Sequence, residues 1–197
     1  MTDRSLLRER QAAVVRDAIL EALADLLETQ DPDDIALPQV AENAGVSTRT
    51  LYRYFATREE LFAATGERIV TRLGLRTEIG SPEEISPGFL RAAAEGARHP
   101  QLAKSMLHSS LGRRARSGHR ARRVEAIMAA LTEITSHLEP SEARRRSAAI
   151  AYLCSLSAWV TVSEETGMPA GDAQQGIAWA LDVLVADLRR ENTREHR

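Results

Sequence analysis

The 197 residues are 43% hydrophobic and carry a formal charge of −2, enough apolar content for one large or two small domains, with no global excess of positive charge to mark a polyanion partner. The single cysteine, Cys154, excludes an intrachain disulfide framework and a cysteine-based zinc cluster, and no apolar run reaches the roughly 20 residues that span a bilayer. A soluble, cytoplasmic protein without a membrane segment or signal-peptide apolar region is expected, with Cys154 as a buried free thiol. Of 26 Lys and Arg residues only Lys104 is lysine, so any one arginine is weak evidence of function.

Helical periodicity runs through the chain, and no alternating, β-branched segment marks a strand. The first helix is expected from about Leu7 to Glu28, with Val15, Ala18, Ile19, Ala22, Leu23 and Leu26 on one face. It ends near Asp31 and Pro32. Pro38 suits the first turn of a short second helix, where its missing N–H is not needed. That helix stops at Ala44, before Gly45, the residue best able to supply a left-handed C-terminal cap. Ser47 or Thr48 caps a third helix that runs to about Phe55. Thr57 caps a fourth, with Glu60 completing a capping box.

Between Gly74 and Gly88 two prolines and three glycines mark an interruption. A domain boundary is expected there, dividing residues 1–75 from 76–197. Beyond it, helices are expected near Pro87 to Arg98, His99 to Leu111, Arg120 to Leu138, Ser141 to Glu165 and Gly171 to Arg190. Loops are expected at Gly112 to Gly118, Glu139 to Pro140 and Gly167 to Pro169.

The segment from Leu37 to Leu61 carries the sharpest signal. Val40, Ala44, Val46, Leu51 and Phe55 form a small core that holds two helices around a tight turn. With Leu51 inward, rotation of about 100° per residue sends Arg49 and Arg53 to the opposite face, one turn apart. Residues 1 to 70 hold 8 Arg against 13 Asp and Glu, yet Ser47 to Arg58 holds three arginines and no acid. The positive charge is therefore local. An α-helix fits the major groove of B-DNA, where Arg can make a bidentate contact with guanine. Ser47, Thr48 and Tyr52 suit phosphate oxygens, as does Arg58 at the next helix start, and Thr50 offers a methyl and a hydroxyl to a thymine methyl or a phosphate. Tyr54, beside Leu51 and Phe55, is expected to pack.

The run from Ala41 through Gly45 and Val46-Ser47-Thr48-Arg49-Thr50-Leu51-Tyr52-Arg53-Tyr54-Phe55 to Leu61 resembles the TetR-type transcriptional regulator family. The resemblance covers roughly residues 10 to 65. It implies an all-α fold in which three N-terminal helices form a helix-turn-helix DNA-binding domain and a fourth links to a C-terminal helical bundle for ligand binding and dimerisation. It implies recognition-helix positions for Thr48, Arg49, Thr50 and Arg53, a phosphate-contacting tyrosine at Tyr52, and Arg58 where a lysine is usual. Pro38 departs from the pattern by standing where many members have a polar or basic contact residue. A homodimer through the last two helices and a small-molecule effector follow from the same resemblance.

For the effector pocket, Phe89, Leu102, Met106, Leu107, Met128, Leu131, Tyr152 and Trp159 lie on apolar helix faces. The stripes Ile150 to Val160 and Ile177 to Leu188 are the expected dimer surfaces. The basic run from Arg113 to Arg123 has the composition of a solvated loop leading into a helix, with an anionic partner site as its functional reading. No metal site is expected, because the five histidines form no i, i+4 pair and no ligand spacing occurs. Nucleophile-elbow, Walker-type and dinucleotide-binding motifs are absent, so no enzyme, catalytic residue or cofactor is expected. The function expected is a DNA-binding, ligand-released repressor acting on a near-palindromic operator. The alternative is a helical protein–protein interaction module.

Overall fold

The computed structural model describes residues 3–73 and 78–195; Gly74, first of the glycines at the expected boundary, lies outside them, as does His196. Every regular element among the described residues is helical. The backbone forms two compact units, Met1–Arg72 with His99–Ser117, and Leu73–Arg98 with Gly118–Arg197.

In the first unit, α1 (Asp3–Leu27), α2 (Leu37–Asn43), α3 (Thr48–Tyr54) and α4 (Arg58–Arg72) follow one another, and α6 (Pro100–His108) and α7 (Ser110–Ala115) complete it. α1 packs on α2, α4 and α6, and α7 lies along α4. The core begins at Ile19 and takes in Leu23, Leu27, Ile35, Val40, Leu51, Phe55, Leu61 and Ile69. At Gly112 an added Cβ would stand 2.6 Å from Met106 Cα and Ser105 O. Glycine there lets α7 turn back tightly against α6.

The second unit holds α5 (Ile85–Arg98), α8 (Ser117–Leu131), which belongs to it from Gly118 on, α9 (Pro140–Leu153), α10 (Leu156–Thr166) and α11 (Ala170–Glu195). α11 is central, packing against α5, α9 and α10. The expected stripe on it is core: Ile177, Leu181, Val185 and Leu188 are all buried within the unit. Only Leu184 of that set is exposed, and the outward face carries Trp179 and Val183 instead.

Three expected elements differ. The single helix expected from Ser141 to Glu165 is two, because Cys154 leaves helical geometry and Ser155 starts α10 by accepting the Ala158 N–H at 3.1 Å. The helix expected to Leu138 ends at Leu131, with a 3₁₀ turn at Glu133–Thr135. The loop expected at Gly112 to Gly118 is largely helical. Basic side chains of the run from Arg113 to Arg123 satisfy carbonyls: Arg116 Nε donates to Met106 O at 2.8 Å, Arg113 to His108 O at 3.0 Å, and Arg123 to Cys154 O. Cys154 is a buried free thiol, and burial pushes its pKa up to about 11.

Candidate nucleic-acid interface

The turn between α2 and α3 is built by backbone hydrogen bonds. Gly45 takes φ +67°, its N–H donates to Glu42 O at 3.0 Å, and the Val46 N–H reaches Ala41 O at 2.9 Å. These two bonds close a Schellman cap, and the left-handed residue at its centre is the reason for glycine. Pro38 stands in the first turn of α2. Ser47 then caps α3, its Oγ accepting the Thr50 N–H at 3.1 Å and lying 2.9 Å from the Thr50 hydroxyl. Those two hydroxyls sit together at the start of α3.

Leu51 is fully buried and fixes the rotation of α3. The opposite face carries Arg49 and Arg53, both exposed, with Tyr52 at 50% exposure beside them. Among the described residues neither arginine has an ion-pair partner; the Arg53 guanidinium lies 5.3 Å from the centre of the Tyr54 ring. Thr48 and Thr50 are half-buried. Seven residues were expected to touch DNA, and six of them (Ser47, Thr48, Arg49, Thr50, Tyr52 and Arg53) share this one short helix and its cap.

Arg58 differs. Its guanidinium donates to Ile35 O and Pro32 O and lies 4.8 Å from the centre of the Phe62 ring. The side chain ties the start of α4 to the segment between α1 and α2, sharing Pro32 O with the Ile35 N–H, which donates to it at 3.3 Å. At the start of α4 the Glu60 N–H donates to Thr57 Oγ1 at 3.1 Å, while the Glu60 carboxylate accepts from Ala56 N–H at 2.8 Å rather than from Thr57. The capping box is thus displaced by one residue.

A ladder of opposite charge fastens α4 to α1. Arg68 meets Asp17 and, at 3.1 Å, Glu21; Arg72 meets Glu21, Asp25 at 2.6 Å and Glu28 at 3.7 Å. His99 Nδ1 lies 3.1 Å from Glu28 at the far end. The hydrogen bond from Arg72 holds the Glu21 carboxyl below its ordinary range. This ladder was not anticipated from sequence. Its signal was present as Asp17, Glu21, Asp25 and Glu28 on one side of the first helix, but nothing local named Arg68 and Arg72 as their partners.

The expected pocket residues are divided between the units. Phe89, Leu131 and Trp159 are buried in the second, where the Trp159 indole N–H donates to Ala170 O at 2.9 Å and Met128 is half-buried. Tyr152 is 58% exposed on α9. Leu102 and Met106, buried one turn apart on α6, and the half-buried Leu107 belong to the first.

Residues 19–65 match the family model of bacterial regulatory proteins of the tetR family. This stretch is similar to the N-terminal region of tetR-family regulators. A stretch of 99 residues is 35% identical to the HTH-type transcriptional regulator AlkX of Mycobacterium tuberculosis and spans 47% of each chain, so the match covers about half the length of that curated relative. The TetR-type fold extends further than the sequence match. A TetR transcriptional regulator from Rhodococcus sp. RHA1 has a TM-score of 0.57 at 22% identity over 91% of this chain and 98% of its own. A TetR variant from Acinetobacter baumannii AYE in complex with minocycline has a TM-score of 0.54 at 16% identity, over 88% and 96%. The all-α architecture, with an N-terminal helix-turn-helix and a helical remainder, is therefore that of TetR-type regulators.

Proposed function

We propose that this chain is a ligand-responsive transcriptional regulator, a repressor that binds a near-palindromic operator as a homodimer and is released by a small molecule. The observation that carries the proposal is the outward face of α3, where Arg49 and Arg53 stand one turn apart with no carboxylate opposite them among the described residues. Two like charges on adjacent turns repel in a bare helix, and a groove lined with acceptors and flanked by phosphates reverses that cost. Arg49 and Arg53 read base edges, Ser47, Thr48 and Tyr52 hold phosphates, and Thr50 lies between the two roles. Arg58 is assigned to the scaffold, not to phosphate.

In this reading residues 1–75 are the DNA-binding region with its linking helix, and residues 76–197 bind the effector and the second protomer. The exposed Trp179 and Val183, at 68% and 43%, support a homodimer face on α11, one of the last two helices. Two α3 helices then enter successive major grooves about 34 to 36 Å apart. A ligand that binds one conformation of the helical region more tightly shifts the dimer away from the spacing that fits DNA. The minocycline complex of a TetR variant supports a small-molecule effector, and Phe89, Met128, Leu131 and Trp159 are the nearest candidates for its lining within the second unit.

Selection of bound fragments from the source genome tests the reading. Recovered fragments should share an inverted repeat and lose affinity steeply between 50 and 200 mM salt, by about 10³-fold or more for six or more phosphate contacts. Recovery of no enriched fragment, with binding insensitive to salt, contradicts it and favours a protein-interaction module. Sedimentation at micromolar concentration should give a dimer that Trp179→Glu dissociates.

A further inference from the structure

We infer that Arg8 and Arg10, in the first turns of α1, bind DNA backbone phosphates beside the groove entered by α3. The inference rests on the DNA-binding reading above and extends its footprint to residues outside the helix-turn-helix. An open groove in the first unit is lined by Arg8, Arg10, Gln11 and Val14 of α1 together with Arg53 and Tyr54 of α3. Three guanidinium side chains line it and no acid does. Among the described residues Arg8, Arg10 and Arg53 have no ion-pair partner, so their mutual repulsion is not offset within the chain.

The packing of α1 points the same way. Side chains from Leu6 to Ala18 are all exposed or half-buried, and the core begins only at Ile19. Slightly more than half of this 25-residue helix therefore has no fully buried side chain, its packing there limited to half-buried Ala12, Val15 and Ala18 and to the Arg16 guanidinium 5.3 Å from the centre of the Phe55 ring. This stretch is also where the acidic balance of the N-terminal region reverses: Leu6 to Arg16 holds three arginines against Glu9 alone. Arg53 belongs both to this groove and to the α3 face. A duplex that presents its bases to Arg53 also presents the adjoining backbone to the two arginines of α1, and each phosphate so neutralised releases counterions.

The test uses the full chain and a random-sequence 40-bp duplex, because phosphate contacts act on any sequence. Affinity is measured from 50 to 200 mM salt for the wild type, for Arg8→Ala with Arg10→Ala, and for Arg8→Lys with Arg10→Lys. Two lost contacts lower the slope of log affinity against log salt by about 1.8, so the advantage of the wild type over the alanine variant shrinks about tenfold across that range. The lysine variant keeps the wild-type slope within about 0.5. An alanine variant whose slope equals that of the wild type overturns the inference while leaving the α3 reading intact. A wild type that binds no duplex overturns the DNA-binding reading itself. Both sites are on the surface, and an unchanged helical circular dichroism spectrum confirms the fold of each variant.

Discussion

Arg49 and Arg53 on α3 and Arg68 and Arg72 on α4 belong to the same unit, and they differ in what faces them. The α4 pair is met by three carboxylates of α1 and by Glu28 just past its end, while the α3 pair is met by none among the described residues. Arg58 is a third case, spent on two backbone carbonyls and an aromatic ring. In a chain that uses arginine for nearly every cation, residue type says little and the partner decides the role. A guanidinium matched inside the chain holds helices together. One left unmatched beside a short exposed helix is available for an external polyanion.

The contrast makes opposite demands on binding and stability. Arg49→Ala combined with Arg53→Ala should cost about 100-fold in DNA affinity, from base contacts worth about 1 to 3 kcal/mol each. Thermal stability should stay within about 0.5 kcal/mol of wild type. Arg58→Ala should do the reverse. Losing two charge-assisted hydrogen bonds to carbonyls costs about 2 kcal/mol of unfolding free energy, measured by urea titration, and DNA affinity should change only as far as folding does. A variant that loses affinity at full stability would move Arg58 to the binding face.

Arg72→Ala is expected to cost about 1 kcal/mol, because its carboxylate partners are partly exposed and water screens them. Glu21→Gln should cost a few tenths of a kcal/mol and reveal the sign of the linkage. The Glu21 carboxyl is held below its ordinary pKa by Arg72, so its contribution is present above the unfolded value and lost as pH falls through the folded one. Below about pH 4.5 the wild type should lose stability with pH more steeply than Glu21→Gln. Identical acid limbs would show that the α1–α4 ladder carries no net stabilisation.

How much of this was legible in the sequence depends on the distance between partners. Gly45, the Ser47 cap and the inward Leu51 are settled within a few residues of one another, and the sequence sufficed to orient Arg49 and Arg53. The tie of Arg58 to Ile35 O and Pro32 O was not legible, because these acceptors lie 23 and 26 residues away, where no local pattern reaches. The break at Cys154 and Ser155 was missed because apolar periodicity runs straight across it, without a glycine or proline to signal an end. The apolar stripe on α11 was legible as a stripe, but periodicity alone cannot say whether such a face meets its own chain or another. It meets its own.

The partner-based account of arginine is tested most directly by measuring Arg49→Ala against wild type on two duplexes: a fragment selected from the source genome and a scrambled duplex of equal length. The account predicts that the substitution lowers affinity for the selected fragment about 5- to 150-fold, the loss of one bidentate base contact, and affinity for the scrambled duplex by much less. Equal losses on both duplexes would contradict it, leaving Arg49 as a phosphate contact and α3 without its base reader.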